Sequence, residues 1–391
     1  MSSDASREAE PRPIEIDDGA IAELRERLAR TRWPEQGAEG GWELGTDLSY
    51  ARELCDHWRE RYETKRLERL NELGSFGWED LHFLRLEPDG PPRGSPVVLL
   101  HGWPSGPIEY EPAARRLAEG GREVVVPSLP GFAWSADPGE ALDVTGMAAR
   151  IRALLSEGLG LERCAIAGGD WGGTVAARIA FDAPELVVGL YGSTPGVLPR
   201  PGDLARPPMS EAEIAYVERA QRWLRRGGHH MVIQAAAPDV ISPALTDSPA
   251  GLAAYLVEKY RRWSDCGGDV ERRFSKDDLC DFLTMFWTTG SISSSMRLYW
   301  GEGRNRWRLA PNERIETPAA VGAFPPGMRS GQGEGAMLGN PPREWTERVL
   351  ADLRRWTPMP SGGHFAAFEE PELYVSDLVG FLDELGAGQV S

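Results

Sequence analysis

The sequence predicts an α/β architecture: a mostly parallel central sheet flanked by helices, with a helical extension ahead of it and a helical lid inserted into it. Three observations lead there. Wholly apolar runs, Val97-Val98-Leu99-Leu100, Val124-Val125-Val126 and Cys164-Ala165-Ile166-Ala167, alternate with segments whose apolar residues recur at helical spacing. The short intervals between the runs require right-handed crossovers through a helix, and therefore parallel strands covered on both faces. The alternation then gives way to about a hundred helix-patterned residues and resumes near the end.

The elements follow in order. Residues 1–13 are polar and acidic and are expected as a disordered tail; they do not resemble a signal peptide. In the extension, 14–75, Ile21, Leu24 and Leu28 mark one helix that Pro34 stops, and Tyr50, Leu54, Trp58 and Tyr62 mark a second. A helix pair with so narrow an apolar face buries little alone, so it is expected to pack on the main domain. The first part of the core, 76–195, holds the three apolar runs and an amphipathic helix through Val144, Met147, Ile151 and Leu154. The lid, 196–305, opens on a Ser210/Glu213 capping box and contains an Asp247-Ser248-Pro249 helix start. The second part of the core, 306–391, carries strands near 318–324 and 357–359 and a terminal helix through Tyr374, Leu378 and Leu382.

Bulk properties narrow the function. With 60 acidic against 43 basic residues the chain carries a formal charge of −17, which repels phosphate backbones and anionic lipid, so nucleic acid is not an expected partner. Cys55, Cys164, Cys266 and Cys280 form neither a C-x-x-C pair nor a disulfide or metal spacing. A soluble protein of the reducing cytoplasm is expected, with no metal and no cofactor. No segment offers the roughly 18 consecutive apolar residues of a membrane span.

Gly168-Gly169-Asp170-Trp171-Gly172-Gly173 directly follows the third apolar run. Its small-x-nucleophile-x-small form is that of the nucleophile elbow of the α/β-hydrolase fold, a sharp strand-to-helix turn that holds its central side chain exposed. Glycines two positions either side of Asp170 are needed where a Cβ would collide with neighbouring backbone. A glycine-rich turn with Asp170 as a plain helix cap is the bland alternative, and the position after the third core strand argues against it. A dinucleotide site is excluded, because G-x-G-x-x-G is absent and this is not the first βα turn. A carboxylate is already anionic at neutral pH, so it attacks without a base and leaves an ester whose carbonyl belongs to the protein. The missing serine speaks against an esterase.

His101-Gly102-Trp103-Pro104 follows the first run, where this fold places its second oxyanion donor. The backbone N–H groups of Trp103 and Trp171 are the expected oxyanion hole, and the His101 ring is expected to be structural. His364, after Gly362-Gly363 beyond the last strand, is the candidate base. Nucleophile first and histidine last is the expected chain order. His57 and His82 precede the first apolar run, and His229 and His230 lie in the lid.

With these motifs the chain resembles the epoxide hydrolases of the microsomal-like branch over about 14–385. The resemblance covers Arg32-Trp33-Pro34, the His101 and Asp170 motifs, Pro127-Ser128-Leu129-Pro130-Gly131-Phe132, Asp247-Ser248-Pro249-Ala250-Gly251-Leu252, Trp287-Thr288-Thr289-Gly290 and Gly363-His364-Phe365-Ala366-Ala367. Nothing here matches the membrane anchor of the mammalian microsomal enzyme. The resemblance implies that Asp170 opens an oxirane, that water activated by His364 hydrolyses the resulting ester to a vicinal diol, and that Tyr299 protonates the oxirane oxygen.

Two positions depart from the family pattern. Its other lid tyrosine falls three residues before an Ile-Gln pair, and here Ile233-Gln234 puts His230 there, as a candidate lid proton donor or as a solvated bystander beside a Tyr299 that acts alone. The acid that orients the histidine follows Phe-Pro-x, whereas this chain reads Phe324-Pro325-Pro326-Gly327. Glu334 is the first carboxylate beyond it and is taken as the acid, with Glu344 and Glu347 already on the next helix.

The 14 tryptophans, with Trp223, Phe286 and Trp287 in the lid, point to a bulky or aromatic epoxide. The chain is also similar to bacterial epoxide hydrolases of enediyne and other secondary-metabolite pathways. A homodimer is the candidate assembly. Two other functions remain open: a haloalkane or haloacetate dehalogenase, with the Trp103 and Trp171 indoles cradling a halide, and a non-catalytic ligand-binding homologue.

Overall fold

The computed structural model describes residues 8–35, 37, 40–193, 208–310, 313–328 and 337–387. The chain runs β1 (Glu10–Pro11), α1 (Asp18–Ala29), α2 (Leu48–Glu60), a 3-10 stretch (Thr64–Leu73), β2 (Ser75–Trp78), β3 (Leu81–Leu86), β4 (Val97–Leu100), α3 (Glu111–Glu119), β5 (Val124–Pro127), α4 (Val144–Ala153), β6 (Cys164–Gly168), α5 (Asp170–Asp182) and β7 (Val187–Gly192). Helices α6 (Glu211–Arg226), α7 (His229–Ala236), α8 (Ser242–Asp247), α9 (Pro249–Trp263), α10 (Lys276–Thr289) and α11 (Ser291–Arg304) follow. The chain then returns through β8 (Ala319–Ala323), α12 (Arg343–Val349), β9 (Leu353–Pro358), α13 (Ala366–Glu369) and α14 (Pro371–Ala387).

The nine strands form one sheet in the order β1-β2-β3-β5-β4-β6-β7-β8-β9. From β5 to β9 all pairs are parallel, and β1, β2 and β3 add an antiparallel edge. This is the predicted α/β-hydrolase sheet. β4 and β6 are neighbours although β5 lies between them in sequence, so the connections diverge there. Ligands of open parallel sheets bind at such a switch point, off the carboxyl ends of the strands.

Two expectations are corrected. Glu10–Pro11, within the expected disordered tail, pair with Phe76 and Gly77, and Arg12 donates to the Glu79 and Leu81 carbonyls. An unpaired edge of β2 attracts any extended neighbour, and that tertiary opportunity leaves no mark on a polar tail sequence. The helices of the extension rest on the lid rather than on the sheet: α2 packs on α9 and α10, and α1 joins them.

Polar side chains lock this junction. The Trp58 indole N–H donates to Thr284 Oγ1 at 2.8 Å, Tyr62 O–H to Asp281 Oδ1 at 2.5 Å, and His57 Nε2 lies 2.7 Å from Asp277. Asp281 is 1% exposed and takes Arg66 at 3.1 Å and Arg69 at 3.0 Å. The capping box at Ser210 and Glu213 and the Ser248 cap form as the sequence indicated.

A buried carboxylate is tolerated only with its partners in place. Asp281→Ala is therefore expected to cost about 3 kcal/mol, and Tyr62→Phe about 1 kcal/mol. Denaturant unfolding with unchanged midpoints in both variants would show that the extension does not clamp the lid.

Candidate active site

The elbow is built from close backbone approach. Asp170 has φ of 51°, a left-handed conformation that a side-chain-bearing residue adopts only under constraint. A Cβ on Gly172 would fall 1.9 Å from the Leu100 carbonyl oxygen at the end of β4, and one on Gly168 2.7 Å from the backbone of Gly172. Both glycines are thus required by contact, as the sequence argument demanded. Gly102 is equally constrained, because its Cβ would sit 2.4 Å from Asp170 Cβ.

Asp170 opens α5, where the partial positive charge of a helix N-terminus favours an anion. Its Oδ1 accepts from Trp103 N at 2.9 Å, and its side chain keeps 20% of its accessible surface. The Trp171 N–H, also anticipated as a donor, makes no hydrogen bond to Asp170. As the second residue of α5 it has no acceptor one turn back. It remains available to a group bound on the carboxylate. The Trp103–Pro104 peptide is cis.

His364 reaches this point from beyond β9 because its loop folds back against the lid. His364 N donates to the Trp263 carbonyl at 2.9 Å, and Gly363 lies so close that a Cβ would be 2.7 Å from that oxygen. The imidazole Nε2 is 3.6 Å from Asp170 Oδ2. Burial lowers its pKa below the 6.5 of an ordinary histidine, and the Asp170 charge opposes that shift. Among the described residues Asp170 is the carboxylate within ion-pair distance of this ring.

Glu334 lies outside the described residues. The flanking chain is anchored beside His364, with Met328 N donating to the Ser264 carbonyl and Met337 N to that of Arg262. His101 is structural, as expected: its Nε2 accepts from Leu129 N, its Nδ1 faces the Gly102 carbonyl at 3.1 Å, and burial pushes its pKa down to about 4.

The lid closes over Asp170 with aromatic rings. Tyr299, on α11, packs edge-on against Trp171 at 4.9 Å and Trp103 at 5.8 Å between centroids. Burial, reinforced by the Asp170 charge, raises its hydroxyl pKa well above 10, so it stays protonated. His230 is no solvated lid residue. It is 2% exposed, stacks on Trp103 with 6° between planes, and lies 5.9 Å from Tyr299. Burial, with the Lys259 charge, drives its pKa well below 6.5, which keeps the ring neutral.

Of the lid aromatics singled out from sequence, Trp223 borders His230 at 6.1 Å. Trp287 instead donates to the Ala20 carbonyl and serves the contact with α1, and Phe286 is fully buried.

Sequence reasoning placed α9 but missed that one face of it borders the site. Tyr255, Lys259 and Trp263 recur every four residues and line one face of it. Tyr255 stands edge-on to Trp103 at 6.1 Å, and Trp263 to His364 at 5.0 Å. The lysine between them disguised the stripe. It is 1% exposed, donates to Glu258 at 2.5 Å, and lies 4.5 Å over the Tyr255 ring.

The chain as a whole is similar to known proteins. Residues 9–110 match the family described as epoxide hydrolase N terminus, and residues 95–248 the α/β hydrolase fold. Epoxide hydrolase 1 of Oryctolagus cuniculus is 31% identical over 410 residues, covering 95% of this chain and 88% of that protein. The chain belongs to the epoxide hydrolase family. A second such epoxide hydrolase 1, from Sus scrofa, is 30% identical over 410 residues, with 95% and 88% covered. The crystal structure of juvenile hormone epoxide hydrolase from the silkworm Bombyx mori superposes with a TM-score of 0.83 at 25% identity, over 97% of this chain and 95% of that one. No helix among the described residues of this epoxide hydrolase is long and apolar enough to cross a membrane.

Histidine ring titration by NMR is expected to place the His364 midpoint below 6.5, so the ring is neutral at pH 7 and gains its proton only as the pH falls. Asp170→Asn should lower the midpoint further, because the charge that raises it is gone. A midpoint above 6.5, or an upward shift in Asp170→Asn, would contradict the buried geometry.

Proposed function

We propose that the chain hydrolyses an epoxide to a vicinal diol through a covalent ester on Asp170. The observation that carries this reading is a carboxylate on the strained elbow, with a neutral imidazole 3.6 Å away and a buried phenol above it. A carboxylate oxygen attacks an oxirane carbon from behind, the C–O bond breaks, and the departing oxygen takes the Tyr299 proton. The neutral His230 ring stands beside Tyr299 as an auxiliary donor.

His364 then removes a proton from water, and the hydroxide adds to the ester carbonyl, whose oxyanion meets the N–H groups of Trp103 and Trp171. Collapse expels the diol oxygen, which takes the proton from the imidazolium. The acid proton left on Asp170 restores Tyr299, so one water is consumed per diol. Ester formation removes the Asp170 charge that raises the His364 pKa, so the intermediate itself favours the neutral base. The aromatic walls suit a bulky or aromatic epoxide, such as secondary metabolism supplies.

Turnover of styrene oxide in 18O-water should place label in the peptide carrying Asp170. Asp170→Ala should lose diol formation by about 10³-fold or more, and His364→Gln should accumulate the ester. An unlabelled peptide during diol production would end the covalent reading, and chloride release from chloroalkanes at comparable rates would favour a dehalogenase.

Glu334 is proposed as the acid that orients His364, on the strength of its tethered flanks. Glu334→Gln should slow ester hydrolysis on the order of 10²-fold and leave ester formation nearly unchanged in single-turnover experiments. An equal loss in both steps would assign it elsewhere.

A further inference from the structure

Nine buried side-chain polar atoms among the described residues lack a hydrogen-bond partner, and four of them belong to one ring cluster in the active site. They are Nε1 of Trp103, Trp223 and Trp263, and Nδ1 of His230. His230 is the hub, with ring centroids 5.4 Å from Trp103, 4.9 Å from Trp263 and 6.1 Å from Trp223. Trp103 is fully buried, Trp263 is 1% exposed and Trp223 8%.

An indole N–H is a donor and nothing else. Orphan donors scattered through a core would be minor blemishes. Several in one cluster beside a catalytic centre call for a common acceptor. The neighbouring polar residues do not supply one. Lys259 is itself a donor, already engaged with Glu258 and His229. Gln234 gives its amide N–H to the Tyr255 hydroxyl and leaves its carbonyl oxygen unpaired, and the neutral His230 ring offers at most one accepting nitrogen, so no more than two spare acceptors face three indole donors.

We propose that this cluster is a substrate subsite for a neutral hydrogen-bond acceptor, a ketone or ester carbonyl carried by the epoxide a few bonds from the oxirane. The proposal rests on the reading of Asp170 and His364 as the epoxide-opening pair. Trp263 meets His364 edge-on at 5.0 Å and Trp103 meets Tyr299 at 5.8 Å, so the cluster adjoins the reacting centre. Neutrality follows from electrostatics. A carboxylate brought into this buried pocket would lose its hydration and face the charge of Asp170, while the one nearby ammonium already pairs with Glu258. A carbonyl oxygen accepts the orphan N–H groups without that cost, whereas an alkyl group leaves them unmet.

Terminal epoxides with a ketone roughly two to four bonds from the ring, each competed in one vessel against its isostere with CH–CH3 in place of C=O, test this directly. At one or more chain lengths the ketone is expected to win by about tenfold or more in kcat/KM. The analogue with a carboxylate at that position should be slower than the ketone by a similar factor.

Trp223→Phe and Trp263→Phe keep the ring and remove the N–H, and each should pull the ketone preference toward one. Competition reports a ratio from whatever enzyme is active, so a loss of folded protein does not imitate the result. Equal turnover of ketone and isostere at every length, a preferred carboxylate, or a preference untouched in both variants would overturn the subsite. Diol formation from the carbonyl-free epoxides would survive that failure, whereas no diol from any epoxide would take the proposed function down with it.

Discussion

The close passage of the β6–α5 turn over the end of β4 is the constraint on which the site depends. Two glycines permit it, since a single Cβ on Gly172 would lie inside the Leu100 carbonyl. The same passage holds Asp170 at positive φ and leaves its carboxylate partly exposed. It also brings the chain after β4 alongside, so that the Trp103 N–H meets Asp170. The positive φ of Asp170 and its hydrogen bond from Trp103 N are thus consequences of one packing event between adjacent strands.

Around that point burial sets the protonation of every partner. His364 and His230 are kept neutral and Tyr299 is kept protonated. A neutral imidazole and a protonated phenol are the forms that the proposed oxirane opening requires of these groups. The apolar rings that produce these states also pack around Asp170 and His364, so packing and proton chemistry have the same origin.

The lid residues come from four helices: Trp223 from α6, His230 from α7, Tyr255 and Trp263 from α9, and Tyr299 from α11. Such a constellation holds only if the helices are fixed relative to the sheet. The N-terminal extension does this by resting on α9 and α10 while Glu10 and Pro11 join the sheet edge. Trp58, Tyr62, Arg66 and Arg69 all end on α10, and Trp263 holds the backbone of His364. The extension is therefore part of what positions the chemistry.

Local pattern was enough to determine the parallel core, the lid and its caps, the elbow at Asp170, and the candidacies of His364 and Tyr299. Each is written in short-range spacing: apolar runs, helical periodicity, or glycines flanking one residue. The strand at Glu10–Pro11, the seating of the extension on the lid and the transfer of Trp287 to that interface depended on which surfaces meet, and sequence neighbours do not record that. The same holds for α9, where Lys259 interrupts an otherwise aromatic stripe and is buried only because Glu258 and His229 are there to receive it. His230 shows the division most clearly. Its place before Ile233-Gln234 marked it out, but only the stacked Trp103 and the surrounding rings made it buried and neutral, because desolvation is a property of the assembled fold.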